Sequence, residues 1–464
     1  MGIIRFGVWG WRARVGEGFD VEHVVRIARA LGETWSWRFP GATILVGFDT
    51  RRDSERMALL CGEVLSACGL VAVVAERPCT LPALGWHAAH DASCKGAVML
   101  TASSASCGHN GIIARGADGG PVSEAFAEAV ERQIAGRPHP DRGSVTRADL
   151  VGAYCDAVVR RVEGLFPSLQ TPRIVVDPLY GATVSCASEI FAALGCEVIG
   201  LHNEGVSDFR GLHPKACEPW VDECERTVRD AHAQLGIVFD GDGDRMGIID
   251  ERGRLVSSHD LAPLVLEHLI RSDETNRRVV ATFATSLRLE RQALWLDCSY
   301  TRVPGGFENV YREFGEDDVL MGADEKGGVA DPAHLAERDG VYAACLALSA
   351  VLRNEQVPAS SMIKEMEEGL GHTDWGTRTV PLDPASLQRL RNILPGMNPF
   401  EVAGRQPLQL SHAGGLRLTF DDDSWLMLRT ATTRNAVHVT AEALDKKTLT
   451  ELLQAGVAMV KQDI

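Results

Sequence analysis

Three aspartates alternate with two glycines in Asp240-Gly-Asp-Gly-Asp-Arg245, between the apolar runs Leu235–Phe239 and Met246–Ile249. Carboxylates this crowded repel one another unless something positive sits between them, and the glycines let the backbone fold around that centre. Oxygen-only donors on a small loop suit a hard cation such as Mg²⁺. A calcium EF-hand shares the offsets of Asp240, Asp242, Asp244 and Glu251. However, Arg245 stands at its sharp-turn glycine position, and both flanks read as strands where an EF-hand needs helices. A phosphatase loop with a nucleophilic Asp and a second Asp two residues on also follows a strand, but usually carries Thr or Val where Asp244 stands. A solvated acidic turn has no need of such regular spacing. With Arg245 beside it, the loop reads best as a metal site for chemistry on a phosphate.

The elements that must position this loop are those of a multi-domain α/β protein. At 464 residues the chain exceeds what a single core supports. Its 45% hydrophobic and 24% charged residues are ordinary for a globular protein. No apolar run reaches membrane-spanning length, and the opening Met1-Gly-Ile-Ile-Arg-Phe lacks a secretory-signal pattern. Twelve cysteines occur without a Cys-x-x-Cys pair, which predicts reduced core thiols in a cytoplasmic protein. The formal net charge of −16 argues against nucleic acid or membrane partners. An anionic substrate then needs a local basic cluster.

From the start the pattern is strand, loop, helix, strand. Phe6-Gly-Val-Trp-Gly-Trp-Arg12 reads as a loop bending toward a ligand. Ala42–Phe48, Leu70–Ala75 and Gly96–Leu100 read as strands, the last leading into the small-residue loop Thr101–Gly111. Gly136–Gly143 has linker composition. The unit recurs with Arg173–Pro178, a helix over Ala187–Leu194 and the strand Cys196–Leu201, closing at the aspartate loop. A third unit comprises a helix near His259, the strand Arg278–Thr282, a helix around Leu287–Ala293, a short strand Leu294–Leu296, and Met321-Gly-Ala-Asp-Glu-Lys-Gly-Gly328. Past Gly371 two strands, Gly415–Phe420 and Trp425–Leu428, precede the loop Arg429–Asn435 and a closing helix. Arg429 and Arg434 with the loop's hydroxyls suit a phosphate clasp, although a hairpin turn with incidental arginines fits the same residues. The expected fold is three related α/β domains with central mixed sheets (1–140, 144–254, 255–366) plus a small C-terminal α+β domain (372–464).

Taken in this order, the loops resemble the α-D-phosphohexomutases, the phosphoglucomutase and phosphomannomutase family, over essentially the whole chain. Phe6-Gly7, Gly10 and Arg12 match the family's opening loop. Gly47, Asp49, Thr50 and Arg51 match its Gly-x-Asp-Thr-Arg. Thr101, Ala102, Ser103, Asn110, Gly111 and Ile112 match the active-serine loop, and Asp240–Arg245 reproduces the metal loop in full. The resemblance implies four domains around a central cleft. It also implies interconversion of a sugar 1-phosphate and 6-phosphate, of glucose or mannose, through a bisphosphorylated intermediate. Ser103 would be the phosphoryl carrier, held as phosphoserine. Ser103, Asp240, Asp242 and Asp244 would bind one Mg²⁺ per chain, and Arg12 and Arg245 would stabilise the transferring group. Asp324 and Lys326 would contact the sugar, and Arg429, Thr433 and Arg434 its phosphate. A sugar bisphosphate activator and a monomer or homodimer also follow.

Several positions depart from that pattern. Ser104-Ala-Ser106 follows Ser103 in place of His-Asn-Pro, and Ile113 replaces a lysine that could act as general acid or base. The sugar loop reads Ala-Asp-Glu-Lys-Gly, with Asp324 for the first acid and Lys326 for serine. Pro304 to Glu308 follows Val303 where the family has Gly-x-Lys. Arg434 replaces an acid. His109 is one substitute base. General acid–base help is worth about a hundred- to ten-thousand-fold in rate. The alternatives are thus a mutase with altered specificity and a non-catalytic sugar-phosphate binder.

Overall fold

The first sheet is built on β2 (Thr43–Phe48), a six-residue apolar run buried along almost its whole length. Such a run belongs at the centre of a sheet covered on both faces. The computed structural model describes residues 4–134, 141–166, 171–270, 277–316, 318–353, 357–431 and 435–462. Within them, β1 (Trp11–Arg14), β2, β3 (Val71–Ala75), β4 (Cys94–Leu100), β5 (His109–Arg115) and β6 (Thr146–Ala148) form one sheet in the order β1-β5-β4-β2-β3-β6. Pairings β2–β3, β2–β4 and β3–β6 are parallel, while β4–β5 and β1–β5 are antiparallel. The Ser103 loop leaves the carboxyl end of β4, where open α/β sheets place their ligands. The linker residues 136–140 lie outside the described residues.

A second sheet contains β7 (Arg173–Asp177), β8 (Glu197–Gly200), β9 (Leu235–Phe239) and β10 (Met246–Ile249), ordered β10-β9-β7-β8. All five residues of β9 are buried. β9 and β10 pair antiparallel with Phe239 opposite Met246, so Asp240–Arg245 is the loop of a hairpin. Val175, Val228, Val238 and Ile249 belong to the core beneath it.

Beyond these lie β11 (Arg278–Thr282), β12 (Ser299–Val303), β13 (Val319–Ala323) and β14 (Val329–Ala330), with β11 and β12 parallel. The expected strand Leu294–Leu296 is instead the end of the helix Leu287–Trp295. Leu296 caps it by donating to the Gln292 and Ala293 carbonyls, and Leu294 and Trp295 face solvent. The strand of this region begins later, at Ser299.

The C-terminal sheet is antiparallel: β15 (Asp374–Pro381), β16 (Gln409–Ser411), β17 (Leu416–Thr419), β18 (Trp425–Thr430) and β19 (Ala436–Ala443), ordered β15-β19-β18-β17-β16. Leu416, Leu418, Leu426 and Leu428 point into one core with Leu387, Leu390, Leu452 and Val460 of the domain's helices. Trp425 and Met427 face the other way, against Ala284 and Leu287.

By contacts the chain forms two compact units. One comprises Met1–Ser272, Leu320–Gly322 and Gly327–Met362, the other Asp273–Val319, Ala323–Lys326 and Ile363–Ile464. All twelve cysteines are free thiols. Among the described residues, no helix is long and apolar enough to cross a membrane.

Candidate active site

In the first unit the aspartate loop is held by its backbone. Its Gly241, Asp242 and Gly243 carbonyls accept N–H bonds from Ala182 (2.9 Å), Leu81 (2.9 Å) and Gly340 (3.1 Å). Each donor opens a helix or 3₁₀ turn, where N–H groups lack internal partners. Asp240 Oδ1 joins this frame, accepting the Gly243 (3.1 Å) and Arg245 (3.3 Å) N–H groups. Gly243 has a φ of +75°, and at Gly241 a Cβ would lie 2.4 Å from the Ser103 carbonyl oxygen. Only glycine allows the aspartate and serine loops to touch there.

Asp240, Asp242 and Asp244 are buried, and carboxylate oxygens from all three lie within 4.8 Å of one another. Burial, then the charges of Asp244 and Asp242, push Asp240 well above the usual carboxylate range. Burial and Asp244 push Asp242 up to about 7, against the pull of Arg12. Neither oxygen of Asp242 has a hydrogen-bond partner. Buried acceptors are rarely left so. A divalent cation among these oxygens would satisfy them and lift the repulsion, so the residues fit Mg²⁺.

Ser103 follows β4 in left-handed backbone (φ 51°), and its Oγ is 3.4 Å from Asp240 Oδ2. Arg51 fixes this loop. Its guanidinium donates to the Ser103, Ala105 (2.8 Å), Ser106 (2.9 Å) and His109 (3.1 Å) carbonyls and to Asp49 Oδ2 (3.0 Å). Asp49 also accepts from Thr101 Oγ1 (2.6 Å), which in turn accepts the Ser103 N–H (2.9 Å).

Cations ring the triad. Arg245 Nη1 is 3.2 Å from Asp244 Oδ1 and 3.6 Å from Asp240 Oδ2, and Arg338 Nη2 is 2.7 Å from Asp244 Oδ2. Burial lowers Arg12, opposed chiefly by Asp242 and Asp244, and its Nε has no partner. Arg115 and Arg338 stack over Trp9, at 5.4 and 5.1 Å. Ile113 is buried in β5 opposite Met99 and carries no proton to move. His109 Nδ1 lies 2.9 Å from Ser106 Oγ, and burial with Arg14 and Arg51 lowers its pKa.

In the second unit, Asp324 Oδ1 accepts the Lys326 N–H at 2.9 Å. Arg429 reaches Glu325 at 2.9 Å, and Thr282 Oγ1 donates to the same carboxylate at 2.8 Å. Burial works against ionisation of Glu325, yet Arg429 and Lys326 hold it below its ordinary value. Thr433 and Arg434 lie outside the described residues.

The structure thus brings Ser103, the three aspartates, Arg12 and Arg245 into one neighbourhood. Sequence reasoning left three participants without a role. Arg51 belongs to the Gly-x-Asp-Thr-Arg stretch, whose purpose only the loop geometry reveals. Arg338 and Glu325 carry no local signal of a site, because Asp244 and Arg429, which they engage there, are distant in the chain.

Comparison with known proteins follows the same lines. Models of phosphoglucomutase/phosphomannomutase alpha/beta/alpha domains I, II and III match residues 4–139, 153–253 and 257–368. A phosphoglucosamine mutase of Prochlorococcus marinus (strain MIT 9313) is 30% identical over 349 residues, 73% of each chain. One of Synechococcus sp. (strain RCC307) is 27% identical, covering 84% of this chain and 81% of its own. A phosphoglucomutase/phosphomannomutase family protein from Burkholderia thailandensis superposes with a TM-score of 0.84 at 20% identity, covering 100% of this chain and 98% of its own. An Aspergillus fumigatus N-acetylphosphoglucosamine mutase, solved with GlcNAc-6P and magnesium, superposes at 0.65 and 11% identity, covering 100% and 96%. Three domain models matched in order along most of the chain place it in the phosphoglucomutase/phosphomannomutase family of intramolecular phosphotransferases.

Proposed function

We propose that the protein is an active phosphohexomutase that exchanges a phosphoryl group between the 1- and 6-positions of a hexose phosphate. The observation that carries this reading is the seat of Ser103 Oγ against Asp240, among three buried carboxylates whose oxygens lie within 4.8 Å of one another. Ser103 is the phosphoryl carrier, and Asp240, Asp242 and Asp244 are the residues that would hold Mg²⁺. The ion, when bound, supplies neutralisation of the charge on the transferring phosphoryl group. Arg12 and Arg245 add fixed positive charge, which is worth most in a buried site. Arg51 holds the Ser103 backbone so that little reorganisation accompanies transfer. Arg429 would receive the distal phosphate, with Thr433 and Arg434 in the same loop, and Asp324 and Lys326 would contact the sugar. A sugar bisphosphate would prime Ser103.

The names of the relatives favour a glucosamine phosphate over the glucose or mannose phosphates first expected. Asp324 is the carboxylate of this loop that would face an amino sugar, because Glu325 is already paired with Arg429. A second reading, a sugar-phosphate binder without turnover, is favoured by Ile113 at the family's lysine position.

Intact mass measures phosphate on Ser103. Interconversion is then assayed with glucosamine, glucose and mannose phosphates, with and without Mg²⁺. The expected result is phosphorylated Ser103 and Mg²⁺-dependent turnover, fastest on glucosamine phosphate. Turnover no higher than that of Ser103→Ala on all three would sink the mutase and leave the binder.

A further inference from the structure

The C-terminal sheet presents to the elements before it a face that contains a buried guanidinium whose Nε makes no hydrogen bond. Leu416 and Leu418 point into the domain's own core, so Arg417 between them points the other way, opposite Met427. There a cavity of about 260 Å³ opens within the second unit, lined among others by Glu290, Tyr300, Arg302, Ser411, Arg417 and Thr419. Arg417 is only 7% exposed, and its Nε has no hydrogen-bond partner. Its guanidinium lies 4.8 Å above the Trp425 ring. A ring face returns only part of what a buried guanidinium loses with its hydration.

No neighbouring carboxylate closes the account. Glu290 is paired with Arg302. Glu442, beyond the indole, already accepts from Ser286, Leu287 N–H, Thr373 and Trp425 Nε1. Burial and the charge of Arg302 lower Arg417 to about 10, so it remains charged at neutral pH. Burial raises Tyr300, keeping its hydroxyl a donor. The cavity therefore carries two guanidinium groups against one carboxylate, with hydroxyls from Tyr300, Ser411 and Thr419.

We propose that this cavity is a second anion site, for the phosphate group of a small phosphomonoester, separate from the Arg429 loop. Arg417 and the hydroxyls offer more donors than the two oxygens of a carboxylate can use, and phosphate brings three. Glu290 is the acceptor for a hydroxyl on the remainder of the ligand. Because Arg302 and Tyr300 come from β12 while Ser411, Arg417 and Thr419 come from β16 and β17, the occupant pins these two strand groups together. No bond is made or broken.

The test is calorimetric titration of the full chain with inorganic phosphate, alongside melting temperature, in the native protein, Arg417→Met, Thr419→Val and Arg429→Met. The native protein and Arg429→Met are expected to bind phosphate at this site and to melt several degrees higher with it. Arg417→Met should lose that binding at least tenfold and, freed of a buried charge, melt no lower than native protein without phosphate. Thr419→Val, which keeps the charge, decides the matter if Arg417→Met does not fold, with an expected three- to tenfold loss. Native-like phosphate affinity in Arg417→Met overturns the site, as does native-like affinity in Thr419→Val should Arg417→Met not fold. Acetate binding as tightly as phosphate overturns its assignment to phosphomonoesters.

Discussion

Replacing Arg51 with lysine keeps a cation beside Asp49 but removes the planar fork that spans four carbonyls of the Ser103 loop. A single ammonium directs its donors from one point and can reach one or two of those carbonyls. Losing two charge-assisted hydrogen bonds of about 1.5 kcal/mol or more each destabilises the loop by about 3 kcal/mol. Because 1.4 kcal/mol is a factor of ten, amide exchange over 101–111 should accelerate about a hundredfold. Arg51→Met goes further. Its partner Asp49 has a fully buried side chain, and breaking such a pair costs about 3–5 kcal/mol. Adding Asp49→Asn to Arg51→Met should recover a good part of that loss but none of the loop protection. Hydrogen exchange by mass spectrometry reads the loop, and urea denaturation reads the domain. Unchanged exchange over 101–111 in Arg51→Met would refute the view that this side chain holds Ser103 in place.

Three further outcomes follow from distances and charges in the first unit. Gly241→Ala puts a methyl 2.4 Å from the Ser103 carbonyl, so the two loops must part; Mg²⁺ affinity measured by titration should fall about tenfold or more, with a loss of stability of about 1–3 kcal/mol. Asp242→Asn relieves the repulsion that raises these carboxylates; without metal its melting temperature should rise by a few degrees, about 1 kcal/mol, while Mg²⁺ no longer raises it. Equal Mg²⁺ stabilisation of mutant and native protein would contradict the ligand set. Burial opposes protonation of His202, but the hydrogen bond and charge of Asp177, then Glu223, leave its pKa raised. A raised value means a stabilising contribution fully present below the unfolded value, about 6.5, and lost as pH climbs through the folded one. The stability gap between native protein and His202→Gln should therefore be wider at pH 6 than at pH 8, and a gap that widens with pH would reverse the assignment.

What could be read in advance depended on how local the signal was. The aspartate loop carries its chemistry in six consecutive residues, and the hairpin it occupies follows from two apolar runs with no helical period. Leu294–Leu296 misled because three apolar residues have no period to display, and the helix before them extends through Trp295. Arg51 could be placed in a motif, yet its four carbonyl partners are backbone atoms that no sequence pattern announces. Glu325 sat unremarked between two residues chosen for the sugar, since its partner Arg429 comes 104 residues later.

The Glu325–Arg429 pair has a consequence for how strongly any anion can be held at that arginine. A carboxylate fixed 2.9 Å from the guanidinium behaves as a tethered competitor at high effective concentration. An incoming phosphate must displace it or share the cation, so the apparent dissociation constant is the intrinsic one scaled by the fraction of time Arg429 is free. That scaling is the same for every ligand that displaces it fully. It weakens all such ligands alike and leaves the choice among them to other residues. The chain thereby raises, by one common factor, the concentration any such anion needs to occupy Arg429.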